Sequence, residues 1–137
     1  MTRREEREHI FKLLFLIEFY KEDELEQQES MYFENLSDAK EKDRAYIRKK
    51  YENIRENLGQ IDEQITEVAK GWRTERMGKV ELTLLRLAVY EIKYDDDIPT
   101  GVAINEAVEL TKRYDTKETA AFVNGILGSI VRGRAEQ

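Results

Sequence analysis

Residues 80–92 read VELTLLRLAVYEI, and this run decides the fold. Apolar residues occupy most of its positions, so a helix formed here has little polar circumference. A helix that is apolar on nearly every side is typical of one surrounded by other helices. The run therefore predicts a central helix, with the remaining elements packed around it.

The rest of the chain has the pattern of an all-helical protein. Among its 137 residues there are one proline and seven glycines, and no run alternates apolar and polar residues as strands do. We predict an all-α fold, a single compact domain over residues 1–137 with about seven helices in two helical bundles. The polar stretch from Arg73 to Gly78 is the predicted boundary between an amino-terminal group, about residues 1–72, and a carboxy-terminal group, about residues 79–134.

Capping residues predict where several helices begin. Thr2 with Glu5 fits a capping box, and the helix that follows should end near Tyr20. A second helix is expected from about Glu24 to Leu36.

Three further helix starts are marked by residues that cap well. Ser37 or Asp38 could cap a third helix, and Pro99 opens the helix after the central one. Asp115, with Glu118 three residues on, can cap the last helix.

The middle of the chain carries apolar residues in alternating steps of four and three. This heptad spacing permits a coiled-coil homodimer, but it is equally the pattern of antiparallel helices in a globular domain. The register lasts barely three to four heptads, so we favour two helices that meet near Gly59. The spaced residues are Ile47, Tyr51, Ile54, Leu58, Ile61, Ile65, Val68 and Trp72.

Composition narrows the classes of function. The chain has no cysteine, which excludes disulfides, thiolate metal ligands and cysteine nucleophiles, and agrees with a reducing compartment. Its charged amino terminus has no apolar core of a signal peptide, and no segment could span a bilayer, so we expect a soluble cytoplasmic protein. The net charge of −6 gives a field that repels phosphate, so RNA binding would need a local basic patch or a partner.

Three arginines near the amino terminus form the first candidate site. Arg3, Arg4 and Arg7 fall in one sector of the first helix, where the helix dipole disfavours positive charge, and Phe11 and Phe15 continue the stripe. Guanidinium groups contact phosphate and stack on bases, and aromatic rings are stacking platforms, so the combination suits single-stranded RNA. The alternative is a solvated basic end with both rings in the core.

Phe122 is the second candidate. It lies on the rim of its helix's apolar stripe, and Gly125 one turn along leaves room for a base to stack there. Glu118, one turn back, could accept hydrogen bonds from base amino groups. The alternative is an ordinary boundary phenylalanine with a capping Glu118.

A possible metal motif fails on inspection of the whole sequence. Glu6 and His9 have the spacing of a di-metal helix motif, but that architecture needs a second histidine and His9 is the only one. We therefore interpret His9 as a surface or boundary residue. No phosphate loop, nucleophile elbow or zinc spacing is present, so we expect neither metal, cofactor nor enzymatic activity.

Three blocks of this sequence resemble the NusB family of transcription antitermination factors. They are LRLAVYEI at 85–92, VAINEAVEL at 102–110 and FVNGIL at 122–127, and the resemblance extends from the amino-terminal arginines to about Val131. It implies an all-helical fold and an RNA-binding protein that is not an enzyme. The chain departs from the family pattern at Ala121, where a lysine is common.

The resemblance also implies partners and site residues. NusB proteins pair with ribosomal protein NusE, grip single-stranded boxA RNA and help RNA polymerase to pass terminators, notably in ribosomal RNA synthesis. Some members form homodimers when free. The alternative is a helical homodimeric interaction protein without RNA binding. The RNA-binding residues that the family implies for this chain are Arg3, Arg4, Arg7, Glu81, Tyr114, Glu118 and Phe122.

Overall fold

The computed structural model describes residues 1–69 and 77–136, with side chains to residue 133. Over these residues the chain forms seven α-helices and no strand, which confirms the predicted all-α class. The helices are α1 (Arg3–Leu16), α2 (Glu22–Glu34), α3 (Glu41–Glu56), α4 (Leu58–Val68), α5 (Lys79–Tyr94), α6 (Thr100–Tyr114) and α7 (Lys117–Glu136).

The helices group into two units, residues 1–56 and residues 57–137. The first contains α1, α2 and α3, and the second contains α4 to α7. This division lies before the predicted boundary at Arg73–Gly78, because α4 packs on α5 and α7. The apolar face that α4 uses carries Ile61 and Ile65, both fully buried. Residues 70–76 lie outside the described part of the chain.

In the first unit, α1 packs on both α2 and α3. The predicted capping box is confirmed, because the Thr2 hydroxyl accepts from the Glu5 amide at 3.1 Å and the Thr2 amide donates to the Glu5 carboxylate at 3.2 Å. The helix ends at Leu16 instead of near Tyr20. There, most backbone amides donate to the carbonyl group three residues earlier instead of four. The chain therefore tightens into turns, and the α-helix ends.

Two capping predictions were wrong by a few residues. α3 begins at Glu41, so neither Ser37 nor Asp38 caps it, since the chain still turns through these residues.

At α7 the cap is Thr116, whose hydroxyl accepts from the Thr119 amide at 3.0 Å. Asp115 lies one residue too early for that role, and its carboxylate accepts instead from the Thr116 amide at 2.9 Å.

The heptad-spaced residues belong to two separate helices, as predicted. α3 ends at Glu56 and α4 begins at Leu58, so the helices meet at Asn57 and Gly59 lies inside the first turn of α4. Ile47 and Ile54 of α3 are fully buried in the monomer, as are Ile61 and Ile65 of α4, so they are not available as the seam of a homodimer. Trp72, the last residue of the pattern, lies outside the described residues.

The second unit is built around α5, as residues 80–92 predicted. This helix packs on α4, α6 and α7, and every residue from Leu82 to Ile92 is buried. Its one buried arginine, Arg86, forms a two-point ion pair with Asp62 of α4, with both N···O distances 2.9 Å. A planar arginine–carboxylate pair of this kind fixes both the distance and the relative orientation of its two side chains. The pair therefore holds α4 in place on the central helix.

None of the described helices combines the length and the apolar character needed to cross a membrane.

Candidate nucleic-acid interface

The amino-terminal arginines lie in the first two turns of α1, which the Thr2 capping box fixes in place. Arg3 and Arg4 are exposed, whereas Arg7 is only 5% exposed. The two exposed guanidinium groups can therefore meet a ligand directly. The Arg7 side chain is enclosed by its neighbours.

Arg3 is exposed but also held. Its Nη1 donates to the Glu6 carboxylate at 2.9 Å, and its guanidinium carbon lies 3.9 Å from the centroid of the Tyr46 ring on α3. Sequence reasoning did not find Tyr46, because nothing in the sequence alone indicates that α1 and α3 are neighbours at this point.

Glu6 is itself buried and bonded to a second carboxyl group, that of Asp43. Burial, reinforced by the hydrogen bond to Asp43, raises the pKa of Glu6 above its usual range. The same hydrogen bond from Glu6, together with the amino group of Met1, lowers the pKa of Asp43, although its own burial opposes this.

The aromatic end of the α1 stripe differs from the prediction. Phe11 is buried and belongs to the core, so it cannot serve as a stacking platform. Phe15 is half-buried, and its ring meets that of Phe19 edge to face with 5.0 Å between centroids. Phe19, which sequence reasoning did not single out, is more than half exposed in the turn after α1.

The second unit carries the other four candidate residues. Phe122 is half-buried and Glu118 is exposed, and their spacing of four residues places them on one face of α7. A Cβ added at Gly125 would meet nothing within 4 Å, so the surface one turn along from the ring is open. This arrangement provides the half-exposed ring and neighbouring acceptor that the sequence predicted.

Tyr114 and Glu81 lie on other helices. Tyr114 is half-buried in the last turn of α6, with the Arg113 guanidinium 5.7 Å from its ring centroid. Glu81 closes the start of α5, where its carboxylate accepts from the Gly78 amide at 2.6 Å. Helix geometry brings Glu118 and Phe122 together on α7, whereas Glu81 has a capping role at the start of a different element.

A groove of about 450 Å³ lies between α6 and α7. Ala121 lines it at the position where a lysine is common in the NusB family. Lys117, one turn earlier on α7, and Lys112 of α6 line the same groove.

The described residues include no cluster of three or more side chains suited to a metal ion. His9, half-buried on α1, makes a 2.6 Å hydrogen bond between its Nδ1 and the Tyr32 hydroxyl of α2. The ring therefore joins two helices, which agrees with the interpretation of His9 as a boundary residue.

His9 makes the stability of the protein depend on pH. Burial, together with the nearby Lys12 charge, lowers the pKa of His9 below its ordinary 6.5. Protonation then favours the unfolded chain, so this contribution to stability is complete above pH 6.5 and is lost as the pH falls. We expect the melting temperature to drop between pH 7.5 and pH 5.5, and to drop less in His9→Gln. Equal drops in the two proteins would contradict this assignment.

Comparison with known proteins agrees with this architecture. The model of the NusB family matches residues 4–132. The transcription antitermination protein NusB of Lachnoclostridium phytofermentans is 46% identical over 131 residues, which cover 96% of this chain and 99% of that protein.

Solved structures are similar over the same extent. T. maritima NusB has a TM-score of 0.86 at 38% identity, covering 96% of this chain and 92% of that chain. A crystal structure of the antitermination factors NusB and NusE in complex with double-stranded RNA has a TM-score of 0.81 at 25% identity, covering 97% and 99%. These similarities define the class as an all-helical transcription antitermination protein. The chain belongs to the NusB family.

Proposed function

We propose that this protein binds single-stranded boxA RNA together with ribosomal protein NusE and acts on transcribing RNA polymerase, notably in ribosomal RNA synthesis. The observation that carries the proposal is the similarity along 97% of the chain to a NusB that is in complex with NusE and double-stranded RNA. The choice of single-stranded RNA rests on the family resemblance and on the Phe122 ring, which can stack on an unpaired base. The protein acts as a cytoplasmic adaptor, without catalysis or a cofactor.

The charge of the chain supports two different partners. A net charge of −6 gives a field that attracts a basic ribosomal protein, while the exposed arginines of α1 attract RNA locally. Each partner is then steered to a different surface.

The proposed roles follow from what each side chain exposes. Arg3 and Arg4 contact phosphate, Phe122 stacks on a base, and Glu118 accepts hydrogen bonds from base amino groups. Arg7 contributes its charge from beneath the surface. Glu81 and Tyr114 complete the proposed set at the start of α5 and the end of α6.

Arg4→Ala tests the α1 part of this proposal. We expect weaker boxA binding, both with and without NusE, and a slope of log affinity against log salt that is shallower by about 0.7, because one phosphate contact is lost. Fluorescence anisotropy over a salt series measures both quantities.

Lys49→Ala is the charge-matched control for Arg4→Ala. Lys49 is an exposed cation of the same unit, on the side of α3 away from its buried residues Ile47 and Ile54. If both substitutions weaken binding and reduce the slope equally, binding reflects net charge alone, and the assignment of Arg4 is wrong.

A further inference from the structure

Arg3 is an exposed side chain that the fold nevertheless holds in one place. Its side chain is 61% exposed, yet its guanidinium group lies over the Tyr46 ring and donates to Glu6. An arginine stacked on a ring and bonded through one nitrogen has fewer accessible rotamers than an arginine surrounded by water.

The two groups that hold Arg3 are themselves fixed. Glu6 is buried and bonded to Asp43, whose carboxylate also lies 3.4 Å from the amino group of Met1. On the other side, the buried Lys50 donates to the Tyr46 hydroxyl at 3.4 Å. Tyr46 and Glu6 therefore form a rigid support, anchored in both α1 and α3.

A held guanidinium group matters for binding a charged polymer. Ordering a flexible side chain on association opposes binding, and a side chain that is already ordered in the free protein avoids this cost. The guanidinium group has five N–H donors in a planar fork, so it can meet a phosphate along its edge while its face stays on a ring.

We propose that Tyr46 and Glu6 are positioning residues that fix the Arg3 guanidinium group to receive a backbone phosphate of the bound RNA. This inference rests on the proposed RNA-binding function. Tyr46 and Glu6 act through Arg3, so their effect on RNA binding disappears when Arg3 is removed.

Replacing Tyr46 tests the positioning of Arg3 without changing the charge of the protein. We expect Tyr46→Leu to weaken boxA binding about twofold to fivefold, the size of a cation–π contact, and to leave the salt slope unchanged because every cation remains. Tyr46→Phe keeps the ring and should bind as the parent protein does. Arg3→Ala should weaken binding and also make the slope shallower by about 0.7.

The double variant Arg3→Ala with Tyr46→Leu shows whether Tyr46 acts through Arg3. We expect it to bind as Arg3→Ala alone does, whereas an additive loss would mean that Tyr46 acts independently and would overturn the proposal. Thermal unfolding of each variant confirms that it is folded, and Tyr46→Met, which is closer in volume, replaces Tyr46→Leu if that variant is not.

Glu6→Gln tests whether Glu6 holds Arg3 in place for a phosphate or competes with the phosphate for Arg3. The amide oxygen still accepts from Arg3, so positioning by Glu6 survives and boxA affinity should not rise above that of a matched control. The control is Glu41→Gln, which alters the Glu41–Arg44 pair of the same three-residue spacing at 3.0 Å on α3. A rise in affinity confined to Glu6→Gln would mean that Glu6 competes with phosphate for Arg3, and would overturn the proposal.

The assignment of Arg3 to the RNA site and the positioning inference can be overturned by different results. If Arg3→Ala binds boxA as the parent does, Arg3 is not part of the RNA site and the positioning inference fails with it. If Arg3→Ala weakens binding while Tyr46→Leu binds as well as the parent or better, the RNA site stands and the positioning inference alone is wrong.

Discussion

Asp62→Ala is expected to lower the free energy of unfolding by about 3 kcal/mol, because it removes the carboxylate paired with a buried arginine. The Arg86 side chain is 11% exposed and sits in the central helix, so water reaches its charge only in part when Asp62 is removed. The effect lies at the low end for buried pairs since Asp62 is 27% exposed and water can partly replace it. Urea unfolding followed by circular dichroism measures the change.

Two comparisons separate this pair from an ordinary surface pair. Glu41→Ala breaks a pair of similar length, 3.0 Å, but Glu41 is 89% exposed and the expected change is within about 0.5 kcal/mol. Replacing both partners, Arg86→Met with Asp62→Leu, should restore much of the lost stability, because no buried charge is left without its counterion. If Asp62→Ala and Glu41→Ala lower the free energy of unfolding equally, the pair between Asp62 and Arg86 contributes no more than a surface pair does.

The sequence predicted the helices better than it predicted which helices pack on one another. The apolar run at 80–92 left almost no polar face, so its central position in the second unit followed from one helix alone. The heptad spacing placed Ile61 and Ile65 on one face of a helix, but spacing does not say which helix covers that face. Only the folded contacts show that α4 belongs with α5 and α7.

Caps and ring positions were missed for a related reason. Asp115 and Thr116 are adjacent and both cap well, so the choice depends on which residue has extended backbone at the start of α7. Phe11 and Phe15 lie one turn apart on one stripe, yet tertiary packing buries the first and leaves the second half-exposed. Tyr46 gave no signal, because its relation to Arg3 depends on α1 and α3 packing together.

Phe122→Ala is expected to weaken boxA binding about fivefold to 150-fold, corresponding to the roughly 1–3 kcal/mol that one base–aromatic stack contributes. The ring is half-buried on α7, beside a surface left open at Gly125, so a base can reach its exposed face without moving the helix. Because the ring is uncharged, the slope of log affinity against log salt should not change. Arg4→Ala, in contrast, should both weaken binding and reduce the slope, and the same anisotropy series measures both quantities.

The controls for Phe122 test whether stacking is the cause of the loss. Phe122→Tyr keeps an aromatic face and should bind within a few fold of the parent, whereas Phe122→Leu keeps apolar volume and should lose most of what Phe122→Ala loses. Tyr94→Ala removes another exposed ring of the same unit, on α5, and should leave boxA affinity unchanged. If Phe122→Leu binds as tightly as the parent, the side chain serves α7 packing instead of RNA, because volume alone would then account for its effect.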